Sequence, residues 1–271
     1  MSTDIKEIIR SYFDSNEGTN NHFLNIYGMG GGGEIEAPYR QYFELRHLKK
    51  IVKFKKNMKI LDLGVGNGRW AISIAPLVKQ YTGVDFSRKG LDIAQQNIDR
   101  MGLQNIKLHE YSITDYSDDE LYDVIYLGGV SQFLEDDEIK KMLANLKPCL
   151  KPETVIIDRS TVNYKKREIF KKPNYYAIFR TPDELRCLYG SIGFDLDYQK
   201  RSYRFLRGAR LIRRLKPLNN YLSLFILTFY PFSLFIMLWF SCFADILLPK
   251  PFEGGDRSHD FFLFKRIIFN T

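Results

Sequence analysis

A doubly wound α/β domain is predicted by three features of this 271-residue chain. Short apolar runs alternate with amphipathic stretches over 57–200, the pattern of strands and crossover helices. The run at 59–63 carries an acid, Asp62, and leads straight into three alternating glycines, Gly64, Gly66 and Gly68. A second apolar run, 80–84, ends in another acid, Asp85. Strand, glycine turn, helix and an acid at the tip of the next strand make the opening, ligand-binding unit of such a fold.

The elements follow in order. A short helix is expected over 5–13, then a glycine run, 28–33, that reads either as a loop or as the hinge of a lid. A helix over 39–50 precedes strand 1 at 58–63. Its crossover helix covers 69–78, and strand 2 covers 80–84. The next helix, 87–101, has Ser87 as its N-cap and Gly102 as its stop. Strand 3 is 106–109, strand 4 is 122–127 and strand 5 is 154–158, with a helix over 136–146 between the last two. A helix over 182–189, a strand at 193–199 and a final strand at 260–267 complete seven strands.

Hydrophobic residues make up 45% and charged residues 27% of the chain, which places it among globular proteins rather than disordered ones. Net charge is +8, so an anionic partner is favoured. The three cysteines, Cys149, Cys187 and Cys242, lack paired metal spacing and point to a reducing compartment. The N-terminus is charged and amphipathic, with no signal-peptide pattern.

The glycine loop narrows the ligand. A dinucleotide site uses G-x-G-x-x-G, whereas here the spacing is Gly64-x-Gly66-x-Gly68 with Asp62 before it. An acid beside the loop opposes a pyrophosphate and suits an ammonium. At these residues the chain resembles the class I S-adenosylmethionine (SAM)-dependent methyltransferases, whose first motif is D/E-x-G-x-G-x-G. The resemblance covers about 57–200 and 259–268. It implies SAM as cofactor and a sheet of order 3-2-1-4-5-7-6 with strand 7 antiparallel.

It also implies residue roles. Gly64 and Gly66 approach the amino-acid part of the cofactor, and Asp62 orders the loop or meets the ammonium through water. Asp85 takes the ribose hydroxyls, Ser87 being the better helix cap, and Phe86 lies against the adenine. The family's G-D-A-like turn after strand 3 is replaced here by Glu110-Tyr111-Ser112-Ile113, so Tyr111 or the amides around Ser112 inherit the adenine contacts. Gly128 and Gly129 pass the methionine moiety. Tyr39, Tyr42 and Arg46, on the helix before strand 1, border the same end.

The acceptor is less defined. No D/N-P-P-Y/F follows strand 4, which disfavours DNA or protein amide methylation, and no paired metal-binding acids of the catechol methyltransferase kind are present, so no metal is expected. His259 and Asp158 are candidate general bases on the acceptor rim, with His22 as another. Each also reads as an ordinary polar residue. Arg159 is a candidate for an anionic acceptor.

The insertion between strands 6 and 7 is unusual. Eight basic residues, Lys200, Arg201, Arg204, Arg207, Arg210, Arg213, Arg214 and Lys216, come without an acid among them. The following 219–244 contain no charged residue and have Pro231 near the middle. A single crossing of a bilayer would strand the last sheet element on the wrong side, so the stretch reads as a hairpin in a membrane interface, or as a dimer interface or lid. Nucleic acid is disfavoured because the basic run adjoins an apolar one.

These features predict three parts: a helical cap or lid at 1–56, a SAM-binding domain at 57–200 and 259–271, and a basic and hydrophobic insertion at 201–258. The expected function is SAM-dependent O-methylation of an amphipathic or lipid-linked acceptor, such as a polyprenyl-linked sugar, glycan end or quinone precursor. The expected location is the cytoplasmic face of a membrane. The alternatives are a soluble small-molecule methyltransferase whose hairpin makes a homodimer or lid, and a non-catalytic SAM-fold scaffold.

Overall fold

The computed structural model describes residues 3–16, 33–202, 239 and 256–267. Two helices, α1 (Thr3–Asn16) and α2 (Gly33–Ile51), precede the sheet. Five parallel strands follow: β1 (Lys59–Leu63), β2 (Gln80–Asp85), β3 (Ile106–Glu110), β4 (Tyr122–Leu127) and β5 (Leu150–Asn163). Helices α3 (Arg69–Ile74), α4 (Arg88–Arg100) and α5 (Asp136–Asn145) connect them. A hairpin of β6 (Glu168–Lys172) and β7 (Tyr175–Phe179) comes next, then α6 (Pro182–Gly190), β8 (Phe194–Arg201) and β9 (Arg257–Arg266).

The main sheet has seven strands in the order β3-β2-β1-β4-β5-β9-β8, and β9 is antiparallel to both its neighbours. With β8 and β9 as sixth and seventh, this is the expected 3-2-1-4-5-7-6. Strand periodicity explains how the sheet is covered. Leu61 and Leu63 face a core shared with Ile139, Met142 and Leu143 of α5 and Leu185 of α6. Ile60 faces the opposite core, with Leu48 of α2 and Ala71 and Ile74 of α3. Ser87 caps α4 as expected, accepting the Gly90 amide at 3.1 Å.

Two features differ from the sequence-based expectation. Strand β5 runs to Asn163, five residues past the expected end, because residues through Asn163 pair with β9. The β6–β7 hairpin was not anticipated; it forms a separate two-stranded sheet closed by a bridge between Val162 and Arg180. Its turn signal is Pro173-Asn174 between two runs rich in aromatic and branched residues. The glycine hinge lies outside the described residues except for Gly33, which begins α2. The insertion at 219–244 also lies outside them, apart from Trp239, which is exposed. Among the described residues no helix is long and apolar enough to cross a membrane.

Candidate active site

A cavity of about 530 Å³ opens at the C-terminal ends of the central strands. This is where an open α/β sheet binds ligands, at the point where strand order reverses. Its floor comes from the β1, β2 and β4 tips: Gly64 and Gly66, Asp85 and Phe86, Gly128 to Val130, with Ser112 to Asp115 after β3. Its roof comes from α1 through Lys6, Glu7, Ile9, Arg10 and Phe13, joined by Phe133, Leu134 and Glu138.

The floor is largely bare backbone. The Gly64 amide donates to Val84 O at 2.8 Å, which ties the loop to β2. Gly64 has φ +84°, and a Cβ there would meet Val130 at 3.0 Å. Gly66 has φ +53°, and a Cβ there would project into open space. At Gly128 a Cβ would meet Tyr126 at 2.9 Å and Trp70 at 3.2 Å.

Asp85 stands at the tip of β2 with its carboxylate held from two sides. Oδ2 accepts the Gly66 amide at 2.8 Å and Oδ1 accepts the Ser87 amide at 2.9 Å. A carboxylate oxygen can accept more than one hydrogen bond, the property that a pair of neighbouring hydroxyls requires. Asp62 differs. It lies beneath the loop and outside the cavity lining, 1% exposed, with Tyr81 Oη donating to Oδ2 at 2.6 Å and Oδ1 lacking a partner. Burial pushes its carboxyl up to about 7; the Tyr81 hydrogen bond opposes the rise and the nearby Asp85 adds to it.

The remaining expected residues divide by where strand and helix periodicity point them. Phe86, Ser112 and Gly128 line the cavity. Tyr111 does not; it is half-exposed, with its ring 6.1 Å from that of Tyr116. Tyr42 and Arg46 are exposed and outside the lining, because α2 turns Gln41, Glu44 and Leu48 inward instead. The side chain of Tyr39 lies outside the described residues.

Neither base candidate lines the cavity. His259 sits on β9 opposite Thr161, and its Nδ1 is 2.8 Å from the Thr161 hydroxyl. Asp158 is fully buried on the α5–α6 side of the sheet, accepting from Ser131 at 2.8 Å and from Tyr189 at 2.9 Å. Burial raises its carboxyl, and these donors oppose the rise. Arg159 is not open to an acceptor anion either. It is buried against Glu44, with Nε donating to Oε1 at 2.7 Å, and Arg69 pairs with the other oxygen of the same carboxylate.

Sequence reasoning expected a helical cap or lid at 1–56 but named none of the contacts that seat α1. The amphipathic face of α1 places Ile9 and Phe13 in a cluster with Phe133 and the hairpin residues Tyr176, Ile178 and Phe179. Arg10 lies over the Phe86 ring at 5.4 Å, and Lys6 pairs with Glu138 at 3.3 Å. Arg180, 1% exposed, donates to Ser131 O at 3.0 Å and Leu134 O at 2.6 Å and so fixes the turn that carries Phe133.

A family described as the methyltransferase domain matches residues 60–153, from β1 to the start of β5. Residues 60–153 thus match a methyltransferase domain, set in a sheet of the order expected from the class I SAM-dependent fold. Among curated relatives, an uncharacterized protein of Rickettsia prowazekii is 40% identical over 137 residues, 41% of this chain and 25% of that protein. Phosphoethanolamine N-methyltransferase 2 of Caenorhabditis elegans is 27% identical over 156 residues, 56% of this chain and 34% of that protein. The chain thus spans well under two thirds of the length of these curated relatives. The solved structure of coclaurine N-methyltransferase, bound to N-methylheliamine and S-adenosylhomocysteine, superposes with a TM-score of 0.63. It is 14% identical, with 97% of this chain and 87% of that chain covered, a likeness of fold.

Proposed function

We propose that this chain transfers the methyl group of SAM to a small-molecule acceptor with an apolar body. The observation that carries the reading is Asp85, fixed by the Gly66 and Ser87 amides in the wall of a cavity whose floor is bare glycine backbone. Asp85 would hold the ribose hydroxyls, Phe86 and the Ser112–Ile113 backbone the adenine, and Gly64, Gly66 and Gly128 the methionine part. The carboxylates in the lining, Glu7, Asp85, Asp115 and Glu138, disfavour a pyrophosphate there. When bound, the cofactor supplies a sulfonium-activated methyl group.

The chain's own residues would align the acceptor and exclude water. Ile9, Phe13, Phe133 and Leu134 form the apolar side of the cavity, which suits a hydrophobic or aromatic body. Glu7, Asp115 and Glu138 line the same cavity and are better placed than His259 or Asp158 to take a proton from an attacking hydroxyl or amine. Lys141 donates to Asp115 and holds its carboxyl below the ordinary range, which weakens it as a base.

A finer reading is O-methylation of an amphipathic or lipid-linked acceptor at a membrane surface. It is supported by the uncharged stretch 219–244 and the basic run before it. Product analysis with a labelled methyl donor and membrane extract tests it: label confined to water-soluble products would overturn it. For the cofactor, calorimetry with SAM is the test. Loss of two charge-assisted hydrogen bonds predicts that Asp85→Ala weakens binding about a thousandfold. Equal affinity of the variant and the parent would refute the site.

A further inference from the structure

The β6–β7 hairpin carries charge that the cavity does not use. Residues 164–174 hold Lys165, Lys166, Arg167, Lys171 and Lys172 against Glu168 alone, five basic residues against one acidic, a net +4. Part of this charge is committed: Arg167 to Asp136 at 2.9 Å, Lys165 to Asp256 at 2.9 Å, and Glu168 to Arg257. Lys166, Lys171 and Lys172 are exposed, and Lys172 also lies over the Phe170 ring at 5.1 Å. Ile169, 59% exposed, shares one face of β6 with Lys171. The rings point the other way: Tyr176 and Phe179 are buried, and Phe170 and Tyr175 pack with them beside α1 and Phe133.

We propose that the exposed lysines of this hairpin, with Ile169 among them, dock the protein on an anionic phospholipid surface. Anionic head groups attract each juxtaposed lysine, and an aliphatic side chain among them enters the head-group layer. A single-stranded nucleic acid would require outward rings for base stacking, and the hairpin turns its rings inward. The position of the insertion agrees. The Tyr164 amide donates to Asp256 O at 2.8 Å, and the Ser202 amide to His259 O at 2.7 Å. Asp256 and Arg257 therefore sit beside this hairpin, and the basic and uncharged stretches precede them in sequence. The inference rests on the membrane-surface reading of the acceptor and assigns the contact to residues outside the insertion.

The test is co-sedimentation of the full chain with vesicles of phosphatidylcholine and of an equal mixture of phosphatidylcholine and phosphatidylglycerol. The parent should bind the anionic vesicles only. A Lys166→Ser/Lys171→Ser/Lys172→Ser variant should lose about a hundredfold in partitioning, at about fivefold per lysine. A charge-matched control, Lys49→Ser/Lys50→Ser/Lys53→Ser, at the opposite end of the sheet, should stay near the parent. Unchanged sedimentation of the hairpin variant would overturn the hairpin contact and leave the membrane reading standing. A parent that binds neither vesicle would overturn both, and one that binds both equally would overturn the anionic contact. An equal loss in the control would reduce the effect to net charge and overturn the site. SAM affinity, measured on the same samples, should not change, which separates these outcomes from failure of the methyltransferase reading.

Discussion

The floor and the roof of the cavity are made from different materials. The floor is main chain: glycines with positive φ, hydrogen-bonded to β2, around one carboxylate held by two amides. The roof is side chain: Phe13 meets Phe133 at 5.2 Å and Tyr12 meets Tyr175 at 4.9 Å, with one partly exposed ion pair. Backbone fixed by a central sheet has little freedom, so the floor suits a ligand that never changes. Ring contacts between a terminal helix and an inserted hairpin can be re-cut by substitution, so the roof suits the acceptor, which varies. The division is also electrostatic. Asp85 faces the cavity and keeps hydrogen-bond donors around it, whereas Asp62 lies just below it with one oxygen unpartnered.

Replacing Asp62 gives the largest stability effect expected outside the lining. Its carboxyl rises from about 3.9 in an unfolded chain to about 7 in the folded one. Between these values the folded chain keeps a proton that the unfolded chain releases, so stability falls as pH rises and levels off above the folded value. Asp62→Asn should therefore gain on the parent from about pH 4 to about pH 7, by at most about 4 kcal/mol. Urea unfolding across that range measures it, and a difference that stays flat with pH would sink the idea. SAM affinity should change far less than in Asp85→Ala, since Asp62 does not line the cavity.

Two neighbouring glycines separate folding from binding within the floor. An alanine at either position must take positive φ, at a cost of about 1–2 kcal/mol. Gly64→Ala also presses on Val130, so its thermal stability should fall further than that of Gly66→Ala. Gly66→Ala directs its methyl into open space in the cavity lining, so it should lose more SAM affinity than stability. The reverse ranking would mean that the ligand lies elsewhere along the loop.

The same contrast explains what could be read in the sequence. The floor was legible because each element is encoded locally: an apolar run, alternating glycines, an acid at the next strand tip. The sheet order followed from resemblance and agrees with the structure. For the roof, a helical cap was expected at 1–56, but its seating was not legible, since it depends on contacts between residues far apart in the chain, such as Phe13 with Phe133. Asp158 and His259 looked like rim groups because strand ends lie there, but sequence does not say that Tyr189 and Ser131 close over the first or that Thr161 engages the second. For Arg159, the deciding partner is Glu44, which lies 115 residues away.

The smallest expected effect tests how the roof is held. The Lys6 side chain is 59% exposed and that of Glu138 14%, so their pair is partly screened by water. Such a pair contributes a fraction of a kcal/mol, and salt weakens it further. Lys6→Ala should therefore raise the SAM dissociation rate by about two- to threefold at low ionic strength, measured by stopped-flow fluorescence, and by less in high salt. Phe13→Ala should raise the rate at both ionic strengths, because ring contacts are not screened. If Lys6→Ala has no effect at low salt while Phe13→Ala does, the rings alone hold α1 over the cavity. If neither variant changes the rate, the roof does not retain the cofactor, and its role is confined to the acceptor.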